Sequence, residues 1–124
     1  MRLLLDSNAL IWAIGRPAEL SAATRRDIQG AEERYVSIAS LWEIAIKISL
    51  GKLALPHEVT AALDVLAAQS LSITAEHVRR VQALPLHHRD PFDRMLIAQA
   101  IEEGLTVVTR DRHFKLYGVP VLAA

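Results

Sequence analysis

The chain has 124 residues, 52% hydrophobic and 23% charged, which suits one well-packed α/β domain over residues 1–124 with an aliphatic core. It has no cysteine, which excludes disulfides, zinc thiolate sites and cysteine nucleophiles. Lys+Arg and Asp+Glu balance at 14 each, so a global basic field of the kind many nucleic-acid binders carry is absent.

Met1-Arg2 leads straight into Leu3-Leu4-Leu5, a continuous apolar run expected of a buried parallel strand. No long apolar leader or membrane-length stretch follows, so the expected compartment is the cytoplasm, with no membrane partner. The strand ends at Asp6-Ser7-Asn8, and Ala9 to Ile14 reads as a helix broken by Gly15-Arg16-Pro17. Asp6 or Ser7 caps that helix. A carboxylate at the carboxyl end of a central strand also faces the crevice where open α/β sheets bind ligands. Ser21 caps a second helix running to Ala31, and Tyr35-Val36-Ser37-Ile38 is a second strand.

Ser40-Leu41-Trp42-Glu43 has the pattern of a capping box, with Glu43 at its third helical position and the helix ending at Gly51. That pattern accounts for Glu43 as structure. A helix following a strand, however, starts at the same sheet edge as Asp6, which accounts for Glu43 as a site residue. Leu55-Pro56 leads into a helical stretch from Glu58 to Gln69, then a short strand Leu71-Ser72-Ile73, then a helix capped by Thr74 and running through Ala83. Leu84-Pro85-Leu86 is an extended linker. His87 and His88 follow on it; adjacent histidines diverge, and a linker position makes both surface residues.

Asp90-Pro91-Phe92-Asp93 opens the next helix, with Asp90 as cap, Pro91 at the first position and Asp93 in the first turn; Gly104 ends it. Leu105 to Val108 is a strand of mostly β-branched residues, and Asp111 lies just past its carboxyl end. Val119-Pro120-Val121-Leu122 reads as an edge strand because proline cannot donate to a ladder. Taken singly, Asp93 serves the helix dipole and Asp111 a turn. Strands alternating with helices argue a parallel sheet covered on both faces. In such a sheet Asp6, Glu43, Asp93 and Asp111 all fall at one carboxyl edge. Crowded like charges need a cation or a proton, and hard oxygen ligands suit Mg²⁺ or Mn²⁺. Arg89, Arg94, Arg110 and Arg112 lie close in sequence to these acids, which suits a phosphate-bearing substrate held over a metal and equally an ordinary salt-bridged surface.

Four blocks then carry a resemblance that covers essentially the whole chain. They are Leu3 to Leu10, Ser40 to Lys47, His88 to Ala100 and Thr109-Arg110-Asp111. In this order they resemble the PIN-domain family, specifically the VapC-type toxins of bacterial toxin–antitoxin pairs. The resemblance implies a parallel sheet flanked by helices and an Mg²⁺- or Mn²⁺-dependent endoribonuclease that hydrolyses RNA with a metal-activated water. It further implies Asp6 and Asp93 as principal metal ligands, Glu43 and Asp111 as the other members of an acidic quartet, and Ser7 and Thr109 as pocket support. A VapB-like antitoxin and a homodimer are the implied partners. The sequence departs from many relatives at Ser7-Asn8, where they carry Thr-His: the hydroxyl is kept and an imidazole is lost. The competing expectation is a catalytically inactive module of the same fold that works through dimer and partner contacts. A receiver-type phosphotransfer domain wants adjacent acids after the first strand, and Asp6 stands alone.

Overall fold

The computed structural model describes residues 1–124. The elements are β1 (Arg2–Leu5), α1 (Ser7–Gly15), α2 (Ala22–Gln29), β2 (Glu33–Ser37), α3 (Ile38–Ser49), α4 (Ala61–Leu66), β3 (Gln69–Leu71), α5 (Ala75–Ala83), α6 (Pro91–Glu103), β4 (Thr106–Thr109) and β5 (Val121–Ala123), with 3₁₀ turns at Pro17–Glu19 and Arg112–Tyr117. The strands form one parallel sheet in the order β3-β2-β1-β4-β5.

Strand periodicity explains the three layers. Successive side chains point to opposite faces, so Leu3 and Leu5 enter one core and Leu4 the other. The first core adds Leu10 of α1, Ile28 of α2, Ile44 of α3 and Val108 of β4. The second adds Leu96 and Ile97 of α6, Val107 and Phe114. β1 is buried on both sides, which is why it reads as an unbroken leucine run. The chain moves outward from β1 to β2 and β3, then returns to β1's other side for β4. The carboxyl end of β1 therefore sits at the switch point where such sheets open a crevice. No helix is long and apolar enough to cross a membrane.

Most caps expected from the sequence are present. Ser21 accepts from the Thr24 N–H at 3.0 Å, Thr74 accepts from the His77 N–H, and Asp90 accepts from the N–H groups of Phe92 and Asp93 at 2.9 and 3.1 Å. Gly104 ends α6 at φ +66°, the left-handed conformation that only glycine adopts without penalty. Val121 to Ala123 forms the sheet's edge, with Pro120 outside the strand.

Three expectations need correction. The capping box at Ser40 does not form: α3 starts at Ile38, Ser37 caps it by accepting from the Ala39 N–H, and the buried Ser40 hydroxyl has no partner. β2 and α3 join without a loop, so the cap moved three residues upstream and left Glu43 in the second turn. The helix expected over residues 58–69 shrinks to Ala61–Leu66, because Ala67 turns left-handed at φ 50° and Gln69 to Leu71 pairs with β2. The third strand accordingly lies two residues earlier than Leu71–Ile73.

Candidate metal and nucleic-acid site

At the carboxyl edge of β1 and β4 lies a cleft of about 200 Å³. Asp6, Glu43, Asp93 and Asp111 all line it, with Ser7, Asn8, Trp12, Lys47, Asp90 and Arg110. Each acid arrives on a different element. Asp6 ends β1 and caps α1, accepting from the Ala9 N–H at 2.8 Å. Glu43, on α3, accepts from the Ser7 hydroxyl at 2.6 Å and meets the Lys47 ammonium at 3.2 Å. Asp93 sits in the first turn of α6. Asp111 caps the 3₁₀ turn after β4, and its N–H donates to the Thr109 hydroxyl at 3.0 Å. Ser7 and Thr109 thus hold other members of the group by hydrogen bonds.

The electrostatics follow from this crowding. Burial first, then the charges of Asp111 and Glu43, raise the Asp6 carboxyl above the ordinary range against the hydrogen bonds that lower it. The Asp93 carboxyl is pushed up to about 7, by burial first and then by Asp90, Asp6 and Glu43, with His88 acting in the opposite sense. Asp111 goes the other way: burial would raise it, but hydrogen bonds from His113 and His88 outweigh that and hold it below the ordinary value. One pH dependence follows. Between 3.8 and about 7 the folded metal-free chain keeps a proton on Asp93 that the unfolded chain has released. Its stability therefore falls as pH rises through that window. Thermal melts in chelator should give a higher midpoint near about pH 5 than near about pH 8. A profile that rises instead would contradict this crowding.

The donor set is carboxylate oxygen throughout, with the Asp6 and Asp93 carboxyls both raised by burial and by neighbouring negative charge. Such a set fits a hard divalent cation, Mg²⁺ or Mn²⁺, whose charge would relieve the repulsion. Asp6, Asp93 and Glu43 are the residues that would hold it. Asp111 has both oxygens already engaged by imidazoles, Oδ1 at 2.7 Å from His113 Nδ1 and Oδ2 at 2.7 Å from His88 Nε2.

The arginines divide. Arg89 and Arg112 are exposed, with no side-chain partner. Arg110 stacks on Trp12, its guanidinium carbon 4.0 Å from the ring centroid, and donates to the Ala124 and Glu19 carbonyls. Arg94 corrects the expectation of a phosphate contact. Its guanidinium donates to the carbonyls of Val81, Leu84, Pro85 and His88 and to the Tyr117 hydroxyl. It staples the α5–α6 linker and is not free for a ligand. Arg94→Ala should lower stability by about 2 kcal/mol or more, since carbonyls lose a charged donor, and Arg94→Lys should recover little because an ammonium lacks the fork. Denaturant titration measures both; an unchanged midpoint for Arg94→Ala would sink the staple.

His88 was expected at the surface and is not there. The two histidines do diverge: His87 stacks edge-on against Tyr117, while His88 turns inward to Asp111 and lies 3.1 Å from Asp93. No local pattern signals this. Only its place two residues before the cap of an acid-bearing helix could have raised the question.

Fold and cleft together define an α/β protein with a carboxylate cleft at the carboxyl edge of a five-stranded parallel sheet. Comparison with known proteins narrows the class. Residues 3–119 match the PIN domain. Ribonuclease VapC22 of Mycobacterium tuberculosis strain H37Rv is 33% identical over 120 residues, 94% of this chain and 92% of that protein. Among solved structures, VapBC2 from Rickettsia felis bound to a DNA fragment from their promoter is similar with a TM-score of 0.74 at 17% identity, covering 98% of both chains. FitAcB from Neisseria gonorrhoeae is similar with a TM-score of 0.72 at 20% identity, covering 98% of this chain and 96% of that one. The chain belongs to the PIN-domain family, among its VapC-type members.

Proposed function

We propose that the protein is a divalent-metal-dependent endoribonuclease, the toxin of a type II toxin–antitoxin pair, that hydrolyses RNA phosphodiester bonds. The observation that carries this reading is the convergence of Asp6, Glu43 and Asp93, from three separate elements, in one cleft beside Asp111. The 33% identity to a ribonuclease over 94% of the chain supports the substrate class.

A bound Mg²⁺ or Mn²⁺ supplies Lewis acidity, lowering the pKa of water and neutralising charge that develops on the phosphodiester. The chain's own residues do the rest. Asp6 and Asp93 would hold the cation, and Glu43, oriented by Ser7 and Lys47, completes the negative cleft. Exposed Arg89 and Arg112, whose guanidinium groups have no partner, meet the phosphates beside the scissile bond, while Arg110 is held at the cleft rim by Trp12 and by the Glu19 and Ala124 carbonyls. The imidazole that many relatives carry at position 8 is not available from Asn8. Cleavage of a susceptible RNA should need Mg²⁺ or Mn²⁺, stop in EDTA and return when excess metal is added. Robust cleavage in chelator would sink the metal mechanism, because metal-free ribonucleases use histidine and lysine chemistry.

The partners proposed are a VapB-like antitoxin and a second copy of the chain, acting in the cytoplasm where the RNA substrate is. Solved relatives of similar fold include VapBC complexes. A negative cleft is most simply blocked by a guanidinium, which pairs with carboxylates through two parallel hydrogen bonds. The antitoxin should therefore place an Arg or Lys against Asp6, Glu43, Asp93 or Asp111. Replacing that side chain by Ala should release nuclease activity from the complex; inhibition that persists in every such variant would refute the plug.

A further inference from the structure

His88, on the α5–α6 linker, is held through both its backbone and its ring. Its backbone is pinned on both sides: the N–H donates to the Tyr117 hydroxyl at 2.8 Å, and the carbonyl accepts from Arg94 at 3.2 Å. The Tyr117 hydroxyl in turn donates to the Pro85 carbonyl at 2.7 Å. The imidazole lies edge-on to Phe114, with centroids 6.1 Å apart, and 4.9 Å from the ring of His113. A ring packed in this way has little freedom to choose its partners.

Those partners identify its tautomer. The Asp90 backbone N–H donates to Nδ1 at 3.2 Å, so Nδ1 presents a lone pair and the single ring proton is on Nε2. Nε2 lies 2.7 Å from Asp111 Oδ2 and 3.1 Å from Asp93 Oδ2. The Nε2–H is thus hydrogen-bonded to Asp111, with Asp93 beside it as the second, longer contact. Across Asp111, Oδ1 accepts the His113 backbone N–H at 2.9 Å and faces His113 Nδ1 at 2.7 Å.

His88, Asp111 and His113 also offer ligand atoms within 4.8 Å of one another, a spacing that would suit a metal. The tautomer argues against His88 as a ligand. A nitrogen carrying a proton has no lone pair to give. Moving that proton to Nδ1 would break the bond from Asp90 and turn two N–H groups against each other.

We propose that His88 is a positioning residue of the cleft: as the Nε2–H tautomer it ties the Asp93 carboxylate of α6 to the Asp111 carboxylate that follows β4, and so presets the acids for a divalent cation. Its consequence for cation binding rests on the metal-nuclease reading above; its geometry does not. Asp93 meets the Nε2–H as a contact at 3.1 Å while the hydrogen bond itself goes to Asp111; losing such an outer partner of a metal-binding carboxylate typically costs roughly tenfold to a hundredfold in metal affinity.

The test combines the ¹⁵N spectrum of the histidine rings with calorimetric titration of Mn²⁺ into the full chain. The wild type should show the His88 proton on Nε2. His88→Leu should bind Mn²⁺ roughly tenfold to a hundredfold more weakly, and His88→Gln, whose amide N–H reaches toward the same oxygens, should recover part of the loss. A proton on Nδ1, or an unchanged affinity for His88→Leu, overturns the proposal. The wild-type spectrum needs no variant, so it decides even if His88→Leu fails to fold. Wild-type protein that shows the tautomer and binds Mn²⁺ but cuts no RNA overturns the nuclease reading alone. Protein that cuts RNA with the proton on Nδ1 overturns only the role given to His88.

Discussion

Asp93→Asn should abolish RNA cleavage and yet leave the metal-free protein at least as stable as the wild type above about pH 7. The two halves of that result have one cause. Asp93 is partly buried beside Asp90, Asp6 and Glu43, so ionising it costs the folded state free energy that an amide does not incur. Were Asp93 only a helix-start residue, its replacement should cost a few tenths to about 1 kcal/mol through the lost dipole interaction, and cleavage should survive. As a cation ligand it should instead lower cleavage by at least about a hundredfold, since an amide is a weaker donor to a hard cation and the charge on the phosphodiester goes uncompensated. A variant that is less stable without metal and still cuts RNA would return Asp93 to the helix-start role.

Added Mn²⁺ should produce the second large effect. A ligand present at about a hundred times its dissociation constant stabilises the folded state by about 2.7 kcal/mol. For a chain of this size that corresponds to a rise of roughly 10 °C in melting midpoint. The gain should be greater near about pH 8 than near about pH 5, because at the lower pH the cation must displace the proton held on Asp93. Asp6→Asn and Asp93→Asn should each lose most of the rise. Equal shifts in wild type and variants would mean the cation binds elsewhere on the surface.

Much of the fold was legible because its signals are local. Asp90-Pro91 opens α6 and Gly104 closes it within a few residues of sequence, and Ser21 and Thr74 cap the helices they precede. The leucine run of β1 has no alternation because both faces are covered, a property of the strand itself. Where a distant partner decided the outcome, local pattern failed. Ser40 and Glu43 have the spacing of a capping box, but β2 runs directly into α3 and Ser37 takes the cap. Gln69 to Leu71 left the end of a helical pattern for a place beside β2.

The site divides in the same way. The four acids could be gathered from topology alone, since strand ends and helix starts of a parallel sheet share an edge. His88 could not, because its orientation depends on Tyr117 and Asp111, more than twenty residues downstream. Nor could the use of Arg94. Proximity in sequence to Asp93 made it look like a phosphate ligand, whereas backbone carbonyls of the end of α5 and of the linker after it claim the guanidinium.

If Asp6 and Asp93 together bind a divalent cation in this cleft, removing both carboxylates should remove the binding. The experiment is a calorimetric titration of Mn²⁺ into the wild type and into the Asp6→Asn/Asp93→Asn double variant, both near about pH 8, above the value to which Asp93 is raised. Saturable binding is expected for the wild type, and at least about a hundredfold weaker binding for a folded double variant. Equal affinity in the two proteins would contradict it.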